Sequence, residues 1–468
     1  MSFFAFKNSL LNVFFRLLVV VLLACPLQLY SQMNSGRISG TITDTSGGVM
    51  VGVQVHVLNT DTGIDRAALT NDSGSYVVTN LPVGTYTVKV EAAGFQAEAK
   101  TQLNLVGDGR LTVDFALRPG NTSQNVEVTA AAGEAVNLVS GELARQINTE
   151  QVQNLALNGR NYLQLATLIP GSAVLDEDQM ATTSSLKTST QSINGNRSIS
   201  NNLMVDGAYN LDSGSLSSQQ NNVGVDFIRE VNIKTSNFSA EYGRNSGAAI
   251  NVVTKSGSNE FHGAAFEFLR NDALDARNFF SPSKARLQFN DFGWDVGGPI
   301  LRNKLFFFVG QEWKKIRQDE SPLVATLPTE AERQGDFSAI SGNLYYPGTT
   351  TPIPGRNIAG SITPDGKAIA QVYNRMEQLA ASYTDKPSGN NTVYQFPNPF
   401  NWREDILRLD YMVNEKNSLY FRYLHDDYNL IDPHPLGGLP TVPINRVRPT
   451  PSYQLGETWT SSPTLINE

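Results

Sequence analysis

The side chains best suited to covalent or metal chemistry are few and scattered. The chain has four histidines, His56, His262, His425 and His434, and none has a Glu or His at zinc-ligand spacing. His56 alternates with valines in residues 51–57 (VGVQVHV) and reads as an exposed strand residue, not a ligand. The carboxylates are spread among turns, and no Ser/His/Asp grouping has a recognisable context. A peptidase needs one of these constellations, so the residues argue against an enzyme and call for neither a metal nor a cofactor.

The single cysteine, Cys25, closes the apolar run 17–24 (LLVVVLLA), which follows the positive charges of Lys7 and Arg16. That is the make-up of an export signal, and the run falls well short of the roughly 20 apolar residues a membrane-crossing helix needs. Two fates for Cys25 stay open. Leu22-Leu23-Ala24-Cys25 loosely resembles a lipoprotein box, but Leu23 fits it poorly, which favours an ordinary signal cleaved nearer Tyr30-Ser31-Gln32. In the second case the mature chain has no thiol, hence no disulfide and no cysteine-bound metal. No other segment is apolar enough for a transmembrane helix, so any membrane passage has to be a closed barrel of strands.

The elements that would position functional residues are mostly strands. Composition (40% hydrophobic, 17% charged) fits an ordered chain, and a net charge of −8 without a Lys/Arg run argues against a nucleic-acid partner. Val51, Val53, Val55 and Val57 alternate with Gly52, Gln54 and His56. Tyr86, Val88 and Val90 alternate likewise, as do Leu111, Val113, Phe115 and Leu117. Turn chemistry separates them at Asp44 to Gly48, Asp61-Thr62-Gly63, Asn71 to Gly74 and Pro82-Val83-Gly84. The pattern predicts a small β-sandwich over residues 36–120. It resembles the carboxypeptidase regulatory-like domain, a seven-strand accessory sandwich with a carbohydrate-binding-like fold and no catalytic role.

Residues 123–258 read as mixed α/β. Asn148 or Thr149 can cap a short helix carrying Val152 and Leu155. Residues 162–168 (YLQLATL) make a second helical stretch that ends at Pro170-Gly171. Leu203-Met204-Val205 reads as a buried strand closed by an Asp206-Gly207 turn. Two polar stretches, 176–191 and 213–222, carry too little apolar surface to pack and are expected to be mobile loops. From about Glu260 the strands lengthen. Leu305, Phe307, Val309 and Trp313 share one face, and Leu407, Leu409, Tyr411 and Val413 alternate with Arg408, Asp410 and Met412. Leu419, Phe421 and Tyr423 alternate with Tyr420, Arg422 and Leu424. Apolar residues facing lipid and polar ones facing a lumen give this pattern in transmembrane barrels. A short turn at 414–418 and a long Pro/Gly/Ser-rich segment at 319–401 then suit the periplasmic and external ends.

The stretch 233–263 (IKTSNFSAEYGRNSGAAINVVTKSGSNEFHG) carries the fullest match. With LALNGRNY at 155–162, SINGNRS at 192–198 and NLMVDG at 202–207, it resembles the plug and plug-to-barrel junction of TonB-dependent outer-membrane receptors of the Oar-like type. Ala156 departs from the proline usual in that first motif. The resemblance implies a mainly β chain: a signal peptide at 1–32, the sandwich at 36–120 on the periplasmic side, a linker and α/β plug at 123–258, and the first strands of an outer-membrane barrel at 259–468. About 22 strands are needed to enclose a plug, and only about six are visible, so the chain is expected to be an N-terminal fragment.

The resemblance also implies partners: a TonB-type energy-coupling protein, outer-membrane lipid and an external ligand that the sequence does not identify. Val126, Glu127, Val128, Thr129 and Ala130 resemble a TonB box, the peptide that the coupling protein captures by strand addition. An ordinary linker strand is the other reading of those five residues. At the level of function, uptake through a plugged barrel stands beside surface adhesion or assembly without transport.

Overall fold

The computed structural model describes residues 36–107, 109–120, 125–129, 141–174, 191–214, 218–243, 245–277, 286–319, 322–387, 389–432, 443–462 and 465–468, with positions 216, 279 and 284. The expected leader with Cys25, the residue Ala130, and positions 176–190 of the first polar stretch lie outside the described residues.

Strands β1 (Gly36–Asp44), β2 (Gln54–Asn59), β3 (Asp65–Leu69), β4 (Ser75–Leu81), β5 (Gly84–Glu91), β6 (Ala97–Leu105), β7 (Arg110–Thr112) and β8 (Phe115–Leu117) form two facing sheets. The alternation places Val53, Val55 and Val57 in one core with Tyr86, Val88 and Val90. Ile38, Ile42, Phe115 and Leu117 complete that core from the other sheet. Val51 departs from the expected alternation: it precedes β2, beyond a turn at Gly52, and is exposed. The run 111–117 is not one strand. Asp114 leaves the ladder to accept a hydrogen bond from the Thr41 backbone N–H (2.7 Å), which splits the seventh strand into β7 and β8, both parallel to β1. Strand β9 (Asn125–Thr129) is added at the edge of the larger sheet, parallel to β6.

The middle unit contains β10 (Leu143–Asn148), β11 (Ser172–Val174), β12 (Gln191–Ile193), β13 (Asn202–Val205), β14 (Ala208–Tyr209), β15 (Ile228–Ser236) and β16 (Ala249–Thr254). Five of these form a mixed sheet in the order β10-β15-β16-β13-β14. Asn148 caps the helix Thr149–Asn154 in a reciprocal box with Gln151, while Leu155 lies at its exposed C-cap. Every residue of β13 and β16 is buried.

The segment 213–222 differs from expectation. Gln219, Asn221 and Asn222 are buried because each polar group finds a partner: the Tyr162 hydroxyl donates to Gln219 Oε1 (2.8 Å), and Asn221 Nδ2 donates to the Thr450 carbonyl (2.7 Å). Low apolar content excluded ordinary packing there, but it does not exclude hydrogen-bonded packing.

Strands β17 (His262–Asn271), β18 (Leu287–Leu301), β19 (Leu305–Asp319), β23 (Pro397–Asn414), β24 (Asn417–Asp432), β25 (Ile444–Ser462) and β26 (Leu465–Asn467) form an antiparallel sheet in that order. Between β19 and β23 the long connection folds on its own core of Leu327, Met376 and Tyr394. It contains the small sheet of β20 (Leu323–Ala325), β21 (Ser382–Tyr383) and β22 (Thr392–Tyr394) and the helix Pro364–Gln378. The expected loop over 319–401 is thus an ordered insertion, and β23 begins before its predicted end. Thr363 caps the helix and Pro364 starts it, so Pro here opens a helix instead of interrupting one. The sandwich sits against the end of the large sheet that carries the short turns: Asn80 bonds Ser418, Thr79 bonds Thr460, and Asn259 Nδ2 donates to the Gly63 carbonyl (2.9 Å). No helix among the described residues is long and apolar enough to cross a membrane, which says nothing of crossing by strands.

Candidate functional site on the inner face of the large sheet

The side chains with functional geometry lie where the middle unit rests on the large sheet. On β19, Phe306, Phe308, Gly310, Glu312 and Lys314 point inward and are buried, while Leu305, Phe307, Val309 and Trp313 take the outer face. Strand period sets that split. Registers between strands then assemble inward residues into rungs running across the sheet.

The first rung is cationic. Arg408 on β23 lies opposite Arg422 on β24, which lies opposite Gln454 on β25. Asp206 of the middle unit enters between them. Its Oδ2 accepts from Arg422 Nη1 (2.8 Å) and Thr254 Oγ1 (2.8 Å), and its Oδ1 from the Thr254 backbone N–H (2.9 Å) and Arg408 Nη1 (3.2 Å). The Asp206 carbonyl accepts from Gln454 Nε2 (2.8 Å) and the Tyr420 hydroxyl (3.3 Å). Burial alone would raise the Asp206 carboxyl, but the Arg408 and Arg422 guanidiniums and the Thr254 donors outweigh it and hold the group below the usual Asp value. Asp206 adopts φ +47 in the turn that closes β13, so the turn itself aims the carboxylate at the wall.

The next rung is apolar. Gly310, Ile406 and Leu424 are in register, and Ile406 and Leu424 join the main core of the middle unit. Gly310 is needed here, because a Cβ would come within 2.6 Å of the Phe227 ring, which packs edge-on to Phe308 at 6.2 Å.

The third rung is acidic. Glu312, Glu404 and Asp426 lie directly opposite one another on three adjacent strands, and each is at most 1% exposed. The middle unit meets them with backbone donors. The Asn222 N–H donates to Asp426 Oδ2 (2.6 Å) and the Gly224 N–H to Glu404 Oε2 (2.8 Å). Lys314 sits 3.1 Å from Glu312 Oε1 and 3.8 Å from Asp291 Oδ2. Nearby, Arg160 bridges Asp226 of the middle unit and Asp291 of the wall. Burial, joined by the like charges of Glu312 and Asp295, raises the Asp226 carboxyl despite Arg160.

This arrangement is built from ion pairs and hydrogen bonds. It fixes a folded unit to a wall through groups that can be released without breaking a covalent bond. The residues singled out from sequence, Val126 to Thr129, lie elsewhere, in β9 on the sandwich edge. Sequence reading put Arg408 and Arg422 on the lumen side but gave neither a role, and it passed over Glu312, Glu404 and Asp426. A signal was available: pairing outward from the 414–418 turn brings Arg408 to Arg422 and Glu404 to Asp426.

Comparison with known proteins follows the same division of the chain. Residues 253–468 match the family described as outer membrane beta barrel domain, and residues 37–118 match the carboxypeptidase regulatory-like domain. A curated relative, the TonB-dependent transporter Oar of Myxococcus xanthus, is 28% identical over 299 residues, covering 59% of this chain and 26% of the relative. Among solved structures, the outer-membrane transporter YddB of Escherichia coli aligns with a TM-score of 0.40 at 12% identity, over 68% of this chain and 38% of that one. The siderophore receptor PirA of Acinetobacter baumannii gives a TM-score of 0.40 at 14% identity with the same coverage. The chain therefore spans about a quarter of the curated relative and under two-fifths of these structures.

Proposed function

From the premise that this chain belongs to the TonB-dependent outer-membrane receptors of the Oar-like type, we propose that it takes up an external ligand through a plugged barrel, driven from the periplasmic side. In this reading the middle unit is the plug and the large sheet part of the barrel wall. The observation that carries it is the seating of Asp206 between Arg408 and Arg422. A carboxylate held by two guanidiniums, Arg422 buried and Arg408 half-buried, closes the lumen firmly, yet it is released by a displacement of a few ångströms. Uptake then requires work on the plug, and the segment Val126 to Ala130 is where the coupling protein would apply it, by strand addition.

The test uses the full-length receptor and the purified periplasmic domain of its host's TonB protein. Deleting residues 126–130 is expected to abolish capture of that domain while the receptor still assembles in the membrane. Unchanged capture defeats the assignment of those residues. A receptor that never binds the domain, with or without the segment, supports surface adhesion or assembly instead of uptake.

A further inference from the structure

The strand β9 raises a question that its assignment as a capture peptide leaves unanswered. Strand addition needs free backbone N–H and C=O groups on one edge. In the structure Asn125–Thr129 already pairs with an edge: Ala97 lies opposite Asn125, Glu98 opposite Val126, Ala99 opposite Glu127, Lys100 opposite Val128 and Thr101 opposite Thr129. The pairing is parallel and makes β9 the outermost strand of the larger sandwich sheet, so its β6-facing edge is taken and strand addition has only its outer edge to use.

We propose that the β6 edge of the sandwich is a docking surface for this chain's own segment 125–129, held there at rest in competition with the coupling protein. This deepens the function proposed above and rests on reading that segment as the capture peptide. Three observations support it. First, β6 has β5 on one side and β9 on the other, so without β9 it would present a bare edge of nine residues. Second, β9 is short, and parallel pairs are slightly weaker than antiparallel ones, so the occupant is exchangeable while β5–β6 is not.

Third, β6 leads directly to the plug. The loop after it places the Gly107 N–H on Glu230 Oε1 (2.6 Å), and Asn232 Nδ2 donates to the Gly107 carbonyl (3.0 Å). Glu230 and Asn232 both belong to β15, which pairs with β16, and Thr254 of β16 bonds Asp206. The edge that holds β9 is therefore tied by hydrogen bonds, through β15 and β16, to the cationic rung. The sandwich acts as a guard on the coupling peptide and is itself fastened to the plug.

The experiment locks the pair. In the full-length receptor, with Cys25 replaced if it is retained, Ala99→Cys and Glu127→Cys are introduced together, with His56→Cys and Ala67→Cys on the β2–β3 pair as a control for oxidation. The 99–127 pair is expected to cross-link in the resting receptor as readily as the control. Capture of the purified TonB periplasmic domain should then fall about tenfold or more, the equivalent of about 1.4 kcal/mol, and recover on reduction.

A control pair that cross-links while 99–127 does not overturns the docking and leaves the capture assignment standing. Cross-linking with capture unchanged shows that another segment is captured, which overturns both. Failure of capture in the unlocked receptor removes the capture assignment and with it the competition proposed here.

Discussion

The cationic and acidic rungs hold the middle unit, the plug of the function proposed above, against the large sheet through two strands they share, β23 and β24, and they do so by opposite means. At the first, two arginines meet the Asp206 carboxylate, whose remaining lone pairs are filled by Thr254, and Arg408 also pairs with Asp410 of its own strand (2.9 Å), so two charges of each sign and their hydrogen bonds balance. Four residues further along β23, about 13 Å at the usual rise of a strand, three carboxyl groups stand side by side, and among the described residues the middle unit meets them with two backbone N–H groups. Like charges directly opposite on neighbouring strands repel. The first rung is a latch. The second is a seat that tolerates the plug and gives it up more readily.

The largest effect expected from this contrast is on Asp206. Asp206→Ala leaves Arg422 buried without its carboxylate, and breaking such a pair typically costs about 3–5 kcal/mol. Hydrogen exchange of β13 and β16 in the full-length receptor should accelerate by a hundredfold or more, and planar-bilayer recordings should show openings absent from the unaltered protein. If protection in β13 and β16 is unchanged, the latch is not what seats the plug.

A second measurement sharpens the same point without mutation. The Asp206 carboxyl is held below the ordinary Asp value, so its contribution is complete above about pH 4 and is lost as pH falls through that lowered value. Exchange of β13 should stay flat from pH 8 to pH 5 after correction for intrinsic rates, and protection should collapse only in stronger acid. Loss near neutral pH would assign the control to another group.

Much of this contrast was within reach of the sequence, and its limits have physical causes. The outer faces of β19, β23 and β24 follow from alternation, because a two-residue period needs no knowledge of neighbours. The pairs Arg408–Arg422 and Glu404–Asp426 follow once the 414–418 turn is accepted, although the irregularity between Met412 and Asn414 shifts the count by one residue. Glu312 could not be placed this way. Its partner Glu404 lies beyond the folded insertion, and a connection of that length fixes no register. The burial of Gln219, Asn221 and Asn222 was hidden for a different reason: their partners come from distant parts of the chain, and composition alone counts them as solvated.

A smaller effect is expected where the plug touches the acidic rung. A Cβ on Gly224 would lie 1.9 Å from Glu312 Oε2, so Gly224→Ala has to displace either that carboxylate or the loop that donates to Glu404. Overpacking of this kind costs about 1–3 kcal/mol. The loosening should appear as faster exchange around 222–227, with β13 still protected. Equal loosening of β13 would mean that the two rungs behave as one unit.

The smallest change is the most discriminating. Glu404→Gln preserves an oxygen for the Gly224 N–H and removes one of three opposed carboxyl groups, whereas Asp206→Asn removes the one carboxylate that pairs with Arg422 among the described residues. If the rungs differ as argued, Glu404→Gln leaves plug protection within about 1 kcal/mol of the unaltered receptor or improves it, since replacing buried charge by a neutral group of the same shape is often neutral or stabilising. Asp206→Asn, equally conservative in shape, should still loosen the plug. Equal losses in the two variants would mean that the carboxylates of the acidic rung are held by compensating charge as firmly as Asp206. Lys314, 3.1 Å from Glu312, would then be the residue to change next.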